Sequence, residues 1–410
     1  MNVFGENRAK PAMRGMVWTG AEKVLVQGMG FVQGVILARL LRPHDFGLAA
    51  MLGLFLSLGS ALAETGLGTA YVVYGGDARR VFAWNVGVGA AIYAVLAASA
   101  PWIAGFYGEP ALKPLTWIMG AGMVAWAACV AGNARLQREG RFAVLSCINV
   151  SACVFAFVTG VSLAWLGWGV WAIAWAGLLA TVFRFVALSL ATRRLAAPCA
   201  DGEAGFGRLL SYGWKLVASG VAGVVYTNAF QLTIGRLFAP ASVGLFTRAQ
   251  RWAALPAEAA NESVARVALP GMARGKGSAR RYMVLNALML WPALAVLCVF
   301  GREITAFVLG EAWVGCVPYM RILALGVFFS PVSNVSMRYT SAKGRSDLIL
   351  LGDVVKRPVQ FALLAAGVWF ASESPAGGIE RLCWVKAAGD AVEAAVAASI
   401  ALRLRRRNGA

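Results

Sequence analysis

Four charged residues share one apolar stretch of the chain. Arg248, Arg251, Glu258 and Glu262 fall within a narrow arc of a helical wheel, so one face of a helix would carry all four. A charged side chain in the core of a bilayer costs at least about 2.5–3.5 kcal/mol on insertion scales. We therefore expect this face to meet partners of opposite charge or to line an aqueous cavity. In a cavity, guanidinium groups would bind anions and carboxylates would bind and release cations.

Charges at helical spacing also occur in other apolar stretches. The first stretch carries Glu22 beside Lys23, the second carries Glu64, and the seventh carries Lys215. The eleventh and twelfth stretches differ, because opposite charges there stand three or four residues apart and can neutralise each other. For those two stretches we favour structural ion pairs, formed by Asp353, Lys356, Arg357, Lys386, Asp390 and Glu393.

The sequence offers little for catalysis. Its single histidine, His44, precedes the second apolar stretch beside Asp45, a candidate helix cap, and is read as a solvated loop residue. No connection is long enough for a separate catalytic domain. The seven cysteines are scattered without a CxxC or Cys/His cluster, which favours reduced packing residues over metal ligands. We expect a protein that is not an enzyme and that needs no cofactor or metal.

The elements that must position these charges are membrane-spanning helices. Hydrophobic residues make up 59% of the 410 residues and the mean hydropathy is +0.67, which excludes a soluble fold. A helix needs about 20 apolar residues to cross the hydrocarbon core. We predict an all-α polytopic membrane protein with about twelve spans, near 16–38, 46–73, 81–105, 113–134, 143–166, 168–190, 209–234, 243–265, 283–303, 316–337, 347–371 and 380–402.

Basic residues orient the predicted spans. Lys and Arg cluster in alternate connections, for example at 79–80, 135–141, 193–194 and 274–281, whereas the other connections hold few. By the positive-inside rule both termini are cytoplasmic. The basic connections would face anionic membrane lipids, which accounts for much of the net charge of +19, and no nucleic-acid partner is expected.

One hairpin sequence occurs twice. In residues 37–48 and again in residues 233–245, an Arg is followed four residues later by a Pro and four residues after that by a Gly. The repeat predicts two related six-helix lobes. Their expected boundaries are an N-terminal lobe at 1–195, a cytoplasmic linker at 196–205 and a C-terminal lobe at 206–410.

Several short motifs follow one another along both halves. The hairpin from Arg39 to Gly47 is followed by Glu64-Thr65-Gly66-Leu67-Gly68, by the loop from Arg135 to Phe142, and by the stretch from Ile234 to Ala249. In this order and spacing, the motifs resemble the polysaccharide transporter family, the Wzx-type lipid-linked oligosaccharide flippases of the MATE-like superfamily.

The resemblance implies two six-helix lobes around a central cavity lined mainly by spans one, two, seven and eight. It implies a flippase that moves a polyprenyl-pyrophosphate-linked oligosaccharide from the cytoplasmic to the outer leaflet of the bacterial inner membrane by alternating access. The product would serve O-antigen, capsule or exopolysaccharide biosynthesis. Polysaccharide polymerases and other assembly proteins are further candidate partners.

On this interpretation, fixed cations bind the pyrophosphate and a carboxylate couples an ion to transport. The candidate cations are Lys23, Lys215, Arg248 and Arg251, and the candidate coupling residues are Glu22, Glu64, Glu258 and Glu262. The two lysines would lie nearer the cytoplasmic side and the two arginines nearer the outer side, so the head group would pass from the lysines to the arginines.

Three alternatives stay open. Arg248 and Arg251 could instead reach the outer interface or pair with Glu258. A MATE-like multidrug cation antiporter would share the lobes but would need an acidic or aromatic pocket, which the cations oppose and the carboxylates favour. A structural membrane protein would explain the helices but not the charged faces on repeat-related spans.

Overall fold

The computed structural model describes residues 6–63, 68, 71, 77–193, 224–226, 228–273, 279–342, 346–373 and 377–408. These residues contain helices and no strands. The chain divides into two compact units, Met1–Ala229 and Phe230–Ala410. The boundaries predicted from the repeat stay a prediction, since the expected linker at 196–205 lies outside the described residues.

The first unit is a set of long helices. In chain order they are α1 (Glu6–Leu40), α2 (Pro43–Met51), α3 (Gly53–Ala63), α4 (Ala78–Tyr107), α5 (Leu112–Arg138), α6 (Phe142–Trp165) and α7 (Val170–Arg193). Helix α5 packs against α4 and α7, and α6 packs against α1 and α7. Cys129, Leu136, Leu145, Ile148 and Leu188 form a buried cluster that joins α5, α6 and α7. This cluster fixes α6, which in turn positions α1.

The second unit begins within α8 (228–237). It continues with α9 (Pro240–Ala273), α10 (Ala279–Val299), α11 (Gly301–Val308), a 3₁₀ turn (Glu311–Cys316), α12 (Val317–Val327), α13 (Ser330–Ala342), α14 (Ser346–Glu373) and α15 (Gly378–Asn408). Helix α9 packs against α10, α12 and α13, while α15 packs against α12, α13 and α14. Helix α9, which carries the four charges, is thus supported on several sides.

Both copies of the repeated hairpin turn in the same way. Leu41 N donates to Leu37 O at 2.8 Å, and Phe238 N donates to Ile234 O, also at 2.8 Å. Pro43 and Pro240 then begin the next helices, because the first helical position needs no N–H donor. A similar sequence thus forms a similar local turn in both copies, and the two-lobe repeat stays a prediction.

Eight helical stretches in the described part of the chain are long and apolar enough to cross a membrane: Ala21–Leu40, Pro43–Leu62, Ala78–Tyr107, Leu112–Arg138, Phe142–Trp165, Val170–Arg193, Ala279–Val299 and Glu311–Thr340. Three more predicted spans coincide with α9, α14 and α15, which are long helices with several charges each. The remaining one, 209–234, lies mostly outside the described residues. The all-α class is confirmed, and the count of twelve stays a prediction.

Candidate functional site

Glu22 links α1 to α6 through side-chain hydrogen bonds. Its Oε2 accepts a hydrogen bond from Ser146 Oγ at 2.6 Å, and its Oε1 accepts one from Asn149 Nδ2 at 2.5 Å. Residues three apart lie on one face of a helix, so Ser146 and Asn149 can present both donors to one carboxylate. Further along the same pair of helices, Gln33 Nε2 donates to Ala156 O at 3.1 Å. Hydrogen bonds at Glu22 and Gln33 thus fix which face of α1 is turned toward α6.

This orientation places Lys23 at a cavity in the first unit. The cavity measures about 520 Å³, and we call it the α1 cavity. Its wall carries one carboxylate, one ammonium, three amides, an aromatic ring and two aliphatic side chains, contributed by Glu22, Lys23, Val26, Gln27, Gln137, Phe142, Leu145 and Asn149. Two candidate site residues, Glu22 and Lys23, therefore line the same space.

A basic connection adjoins the α1 cavity. Gln137 and Phe142 of the wall flank Arg138 and Arg141, in the connection that the sequence predicts to be cytoplasmic. Glu139 lies 3.4 Å from Arg135 and 3.7 Å from Arg141, measured from carboxylate oxygen to Nε. One carboxylate is thus shared by two arginines, so the surroundings of this end of the cavity keep a positive charge.

In the second unit, Arg251 and Glu258 form an ion pair along α9. Arg251 Nη1 lies 2.9 Å from Oε1 and 3.2 Å from Oε2 of Glu258. The side chains are 53% and 41% exposed, so both groups remain accessible. This is the pairing that the sequence offered as the alternative to anion binding, and an exposed pair of this kind is weak enough to exchange partners.

Arg248 lies in a different environment from Arg251. Its guanidinium carbon is 5.4 Å from the ring centroid of Trp313, which is fully buried in the 3₁₀ turn. A cation over an indole face is attracted by the ring quadrupole. Arg248 is thus held against an aromatic ring, whereas Arg251, three residues further along α9, is half exposed.

The other candidates are placed as follows. Glu262 follows Glu258 by one turn of α9 and is half-buried. Glu64 and Lys215 lie outside the described residues. Arg251 and Glu258 are one pair of candidates in direct contact. The roles of all eight residues in binding and coupling stay predictions.

Among the ion pairs predicted for the last two helices, those of Lys356 and Lys386 are confirmed, whereas Arg357 Nη1 donates to Gln360 Oε1 at 3.3 Å. Lys356 Nζ lies 2.9 Å from Asp353 Oδ1, and Lys386 Nζ lies 3.5 Å from Asp390 Oδ1. Lys356 also lies 2.9 Å from Glu393 Oε1, which ties α14 to α15. These charges hold the second unit together, as expected of structural pairs.

Two groups of polar residues were not singled out from the sequence. Ser146, Asn149 and Gln137 belong to the α1 cavity or its support, and the spacing of Ser146 and Asn149 within an apolar stretch was the available signal. Asn286 donates to Asn261 at 2.8 Å, and Asn261 donates to Ser330 Oγ at 2.8 Å, joining α10, α9 and α13. The second group has a structural role in the core of the unit.

No cluster of His, Cys, Asp and Glu suited to a metal ion occurs among the described residues. His44 is exposed as predicted, but it lies in the first turn of helix α2 and not in a loop, while Asp45 Oδ2 accepts the Arg42 N–H at 3.1 Å. The predicted capping role of Asp45 is therefore confirmed.

A protein-family model matches most of the chain. The model is described as polysaccharide biosynthesis protein, and it matches residues 36–318. The lipopolysaccharide biosynthesis protein WzxC of Escherichia coli is 23% identical over 358 residues, covering 83% of this chain and 72% of that protein. The teichuronic acid biosynthesis protein TuaB of Bacillus subtilis is 24% identical over 390 residues, covering 92% and 80%. The succinoglycan biosynthesis transport protein ExoT of Rhizobium meliloti is 23% identical over 381 residues, covering 88% and 75%.

Solved structures share the fold. The lipid II flippase MurJ in an inward closed conformation superposes with a TM-score of 0.74 at 12% identity, covering 94% of this chain and 86% of that one. A multidrug resistance MATE transporter in an inward-facing conformation gives 0.66 at 14% identity, covering 95% and 98%. The MATE-like fold is thereby confirmed. Together with the apolar helices, these matches identify a multi-pass membrane protein.

Proposed function

Because the chain belongs to the polysaccharide biosynthesis protein family, we propose that it is a flippase for a polyprenyl-pyrophosphate-linked oligosaccharide. It moves the head group from the cytoplasmic to the outer leaflet of the bacterial inner membrane, by alternating access. The observation that carries the proposal is the α1 cavity, in which an ammonium group and several amides are presented together within a membrane-embedded unit. An ammonium group suits a phosphate, and amides suit a glycan.

The proposal assigns successive steps to the cations of the two units. Lys23, beside the basic connection at 135–141, acts on the cytoplasmic side, and Lys215 is its counterpart in the second half. Arg248 and Arg251 act on the outer side. Guanidinium groups bind phosphate oxygens in a bidentate manner, so they stabilise a diphosphate after it leaves the lysines. Arg251 exchanges Glu258 for the substrate, since an exposed ion pair contributes only about 0–1 kcal/mol.

A cation antiporter is the second candidate, because the fold is also that of a MATE transporter. A cationic drug needs a carboxylate or aromatic surface free to receive it. Both oxygens of Glu22 accept hydrogen bonds from α6, and Glu258 is bonded to Arg251. The Glu22 carboxylate is thus already used within the protein, and Glu258 is released only when Arg251 binds an anion, which favours the anionic substrate.

The test is a comparison of two cargoes in reconstituted vesicles. One set contains an undecaprenyl-pyrophosphate-linked oligosaccharide, whose arrival in the outer leaflet is followed by an enzyme that cannot cross the bilayer. The other set contains a cationic dye. The proposal expects faster exposure of the oligosaccharide than in protein-free vesicles and no added dye efflux. The reverse pattern would support the antiporter and contradict the flippase.

The orientation is part of the proposal. Both termini are assigned to the cytoplasm because basic residues concentrate in alternate connections. A reporter enzyme fused after Ala410 should be active only in the cytoplasm. Activity of that fusion on the outer side of the inner membrane would reverse the assignment of direction.

A further inference from the structure

One membrane-spanning stretch of the second unit is interrupted. The apolar stretch Glu311–Thr340 contains α12 and α13, and Phe328 and Phe329 between them form a turn. Pro331 accounts for the interruption, because its nitrogen carries no hydrogen and cannot donate to the carbonyl of Val327, four residues back. We call residues 328–329 the helix break.

Trp291 of α10 supports the helix break. Val332 N donates to Phe329 O at 3.1 Å, one residue nearer in the chain than in a regular α-helix. Phe328 O accepts a hydrogen bond from Trp291 Nε1 at 3.3 Å, and the two rings stack with their centroids 4.5 Å apart. Within a bilayer, a carbonyl outside a helix needs a donor from the protein. Trp291 supplies that donor.

A polar layer lies beside the helix break, formed by Asn261 of α9, Asn286 of α10 and Ser330, the first residue of α13. Asn286 Nδ2 donates to Asn261 Oδ1, and Asn261 Nδ2 donates to Ser330 Oγ, each at 2.8 Å. Asn286 is fully buried, and its Oδ1 has no hydrogen-bond partner among the described residues. If Asn261 released Ser330, its rotated amide could donate to this oxygen and form a reciprocal amide pair. The layer therefore has a second arrangement, which satisfies a costly buried acceptor.

Different apolar clusters hold the two halves of the interrupted stretch. One cluster joins α9 and α10 to α12 through Ala257, Ala260, Leu290, Leu294 and Ala324. The other joins α9 and α10 to α13 around Val264 and Val335. A tilt of α13 at the helix break therefore leaves intact the cluster that holds α12.

Helix α4 of the first unit contains a similar tryptophan donor without a break. Pro101 lies inside α4 and leaves the carbonyl of Ala97 without its helical donor, and Trp117 Nε1 donates to that carbonyl at 3.2 Å. The helix nevertheless continues from Ala78 to Tyr107. A proline with a tryptophan donor is thus compatible with an unbroken helix, so the helix break reflects the surroundings of α13.

We propose that the helix break is a hinge of the transport cycle, at which α13 tilts relative to α12 when Asn261 exchanges Ser330 for Asn286. Asn261 lies three residues after Glu258 on α9, so it moves with the helix that carries the Arg251–Glu258 pair. Transfer of Arg251 from Glu258 to the substrate shifts α9 and releases Ser330. This last step rests on the proposed flippase function and deepens it, whereas the hinge itself does not depend on the substrate.

The test is hydrogen exchange of the full-length protein in lipid nanodiscs, measured by mass spectrometry. Peptides covering residues 324–337 report on the helix break, and peptides covering residues 93–105 report on α4. The variants are Trp291→Phe, Pro331→Ala and Asn261→Ala. The matched control is Trp117→Phe, because Trp117 is 41% exposed against 43% for Trp291 and donates to a carbonyl of an unbroken helix. Thermal unfolding of each variant, measured alongside, distinguishes an open hinge from a loss of fold.

In the parent protein, amides at the helix break should exchange at least about tenfold faster than those of α4, since a hinge opens locally. Trp291→Phe keeps an aromatic ring but loses the N–H donor, so exchange at the break should rise roughly 3- to 10-fold. Trp117→Phe should leave exchange at the break unchanged. Pro331→Ala restores a backbone donor, so exchange there should fall towards that of α4 and flipping in vesicles should slow by about tenfold.

Asn261→Ala tests the link between the hinge and α9. The parent is measured with and without an undecaprenyl-pyrophosphate-linked oligosaccharide, which should raise exchange at the break by releasing Ser330. In Asn261→Ala, exchange should already be raised roughly 3- to 10-fold without the lipid, because the bond to Ser330 is lost. Added lipid should then change it no further.

The outcomes separate the hinge from the proposed function. Equal exchange at the break and in α4 of the parent, or equal effects of Trp291→Phe and Trp117→Phe at the break, would overturn the hinge. A Pro331→Ala variant that flips lipid as fast as an active parent would remove the break from the transport cycle. A lipid response that persists in Asn261→Ala would overturn the link to α9. A parent that shows the expected exchange but neither flips nor responds to the lipid would contradict the flippase function while the hinge stands.

Discussion

Arg251 and Glu258 are paired along a single helix, with Arg251 Nη1 2.9 Å from Glu258 Oε1 across two turns of α9. Both side chains are about half exposed. A pair in this environment contributes little to the free energy of unfolding, because water screens the attraction and two long side chains lose freedom. The pair is therefore better suited to a site that opens and closes than to holding the helix in place.

Arg251→Ala should abolish transport while leaving the fold intact. The lost group binds substrate in the proposal, whereas its exposed ion pair contributes only about 0–1 kcal/mol to stability. Flipping in vesicles and thermal unfolding are measured on the same preparation. Arg251→Lys serves as the control that keeps the charge but loses the bidentate geometry, and it should retain part of the rate. A fully active Arg251→Ala variant would remove Arg251 from the binding site.

Glu258→Gln should change the response of transport to the membrane potential. One elementary charge gains about 2.3 kcal/mol per 100 mV across the membrane, so an anionic head group moving outward from a negative interior is accelerated. Among the four candidate carboxylates we place ion coupling at Glu258, which exchanges Arg251 for a cation when the substrate binds. Rates are compared with the potential clamped at zero and then imposed. A response to the potential that is unchanged in Glu258→Gln would assign coupling to another residue.

Lys356→Met should destabilise the second unit. The side chain of Lys356 is 11% exposed and lies between Asp353 and Glu393, so its removal leaves two carboxylates facing each other. Removing one partner of a fully buried pair costs about 3–5 kcal/mol, and the loss here should be smaller, because Asp353 and Glu393 are 39% and 35% exposed. The triple variant with Asp353→Asn and Glu393→Gln should recover much of the loss, because no charge is then left without a partner. A single variant that unfolds at the temperature of the parent would contradict the structural role.

Gly326→Ala should also destabilise the second unit, through a different mechanism. A Cβ atom at Gly326 would lie 2.8 Å from the Cα of Ala387 and 2.8 Å from Asp390 Oδ2. Overpacking of this kind costs typically about 1–3 kcal/mol. Gly105→Ala is the matched control, because a Cβ there meets nothing within 4 Å. Equal unfolding temperatures for the two variants would show that α12 and α15 separate easily.

Local features were predictable from the sequence, because neighbours in the chain create them. The repeated hairpins turn where Pro43 and Pro240 begin a helix, and Lys386 pairs with Asp390 one turn away. The charged face of α9 was also predictable, since it follows from helical spacing alone.

Contacts between helices were not predictable in the same way. Glu22 meets Asn149 across 127 residues, and Lys356 meets Glu393 across 37. Such contacts depend on which faces pack together, and apolar helices offer several equivalent faces. The sequence therefore indicated Glu22 as a candidate but not its anchoring role, and it indicated Lys23 but not Gln137 and Asn149, which share its cavity from other helices.

The most direct test of the central claim is the rate of head-group movement in vesicles that contain the parent protein or the Lys23→Ala, Arg251→Ala double variant. Reconstituted amount and orientation are matched between the two, and protein-free vesicles give the background. The account predicts that the parent exposes the undecaprenyl-pyrophosphate-linked oligosaccharide well above background and that the double variant falls to background. A parent protein that does not exceed protein-free vesicles, or a double variant as fast as the parent, would contradict it.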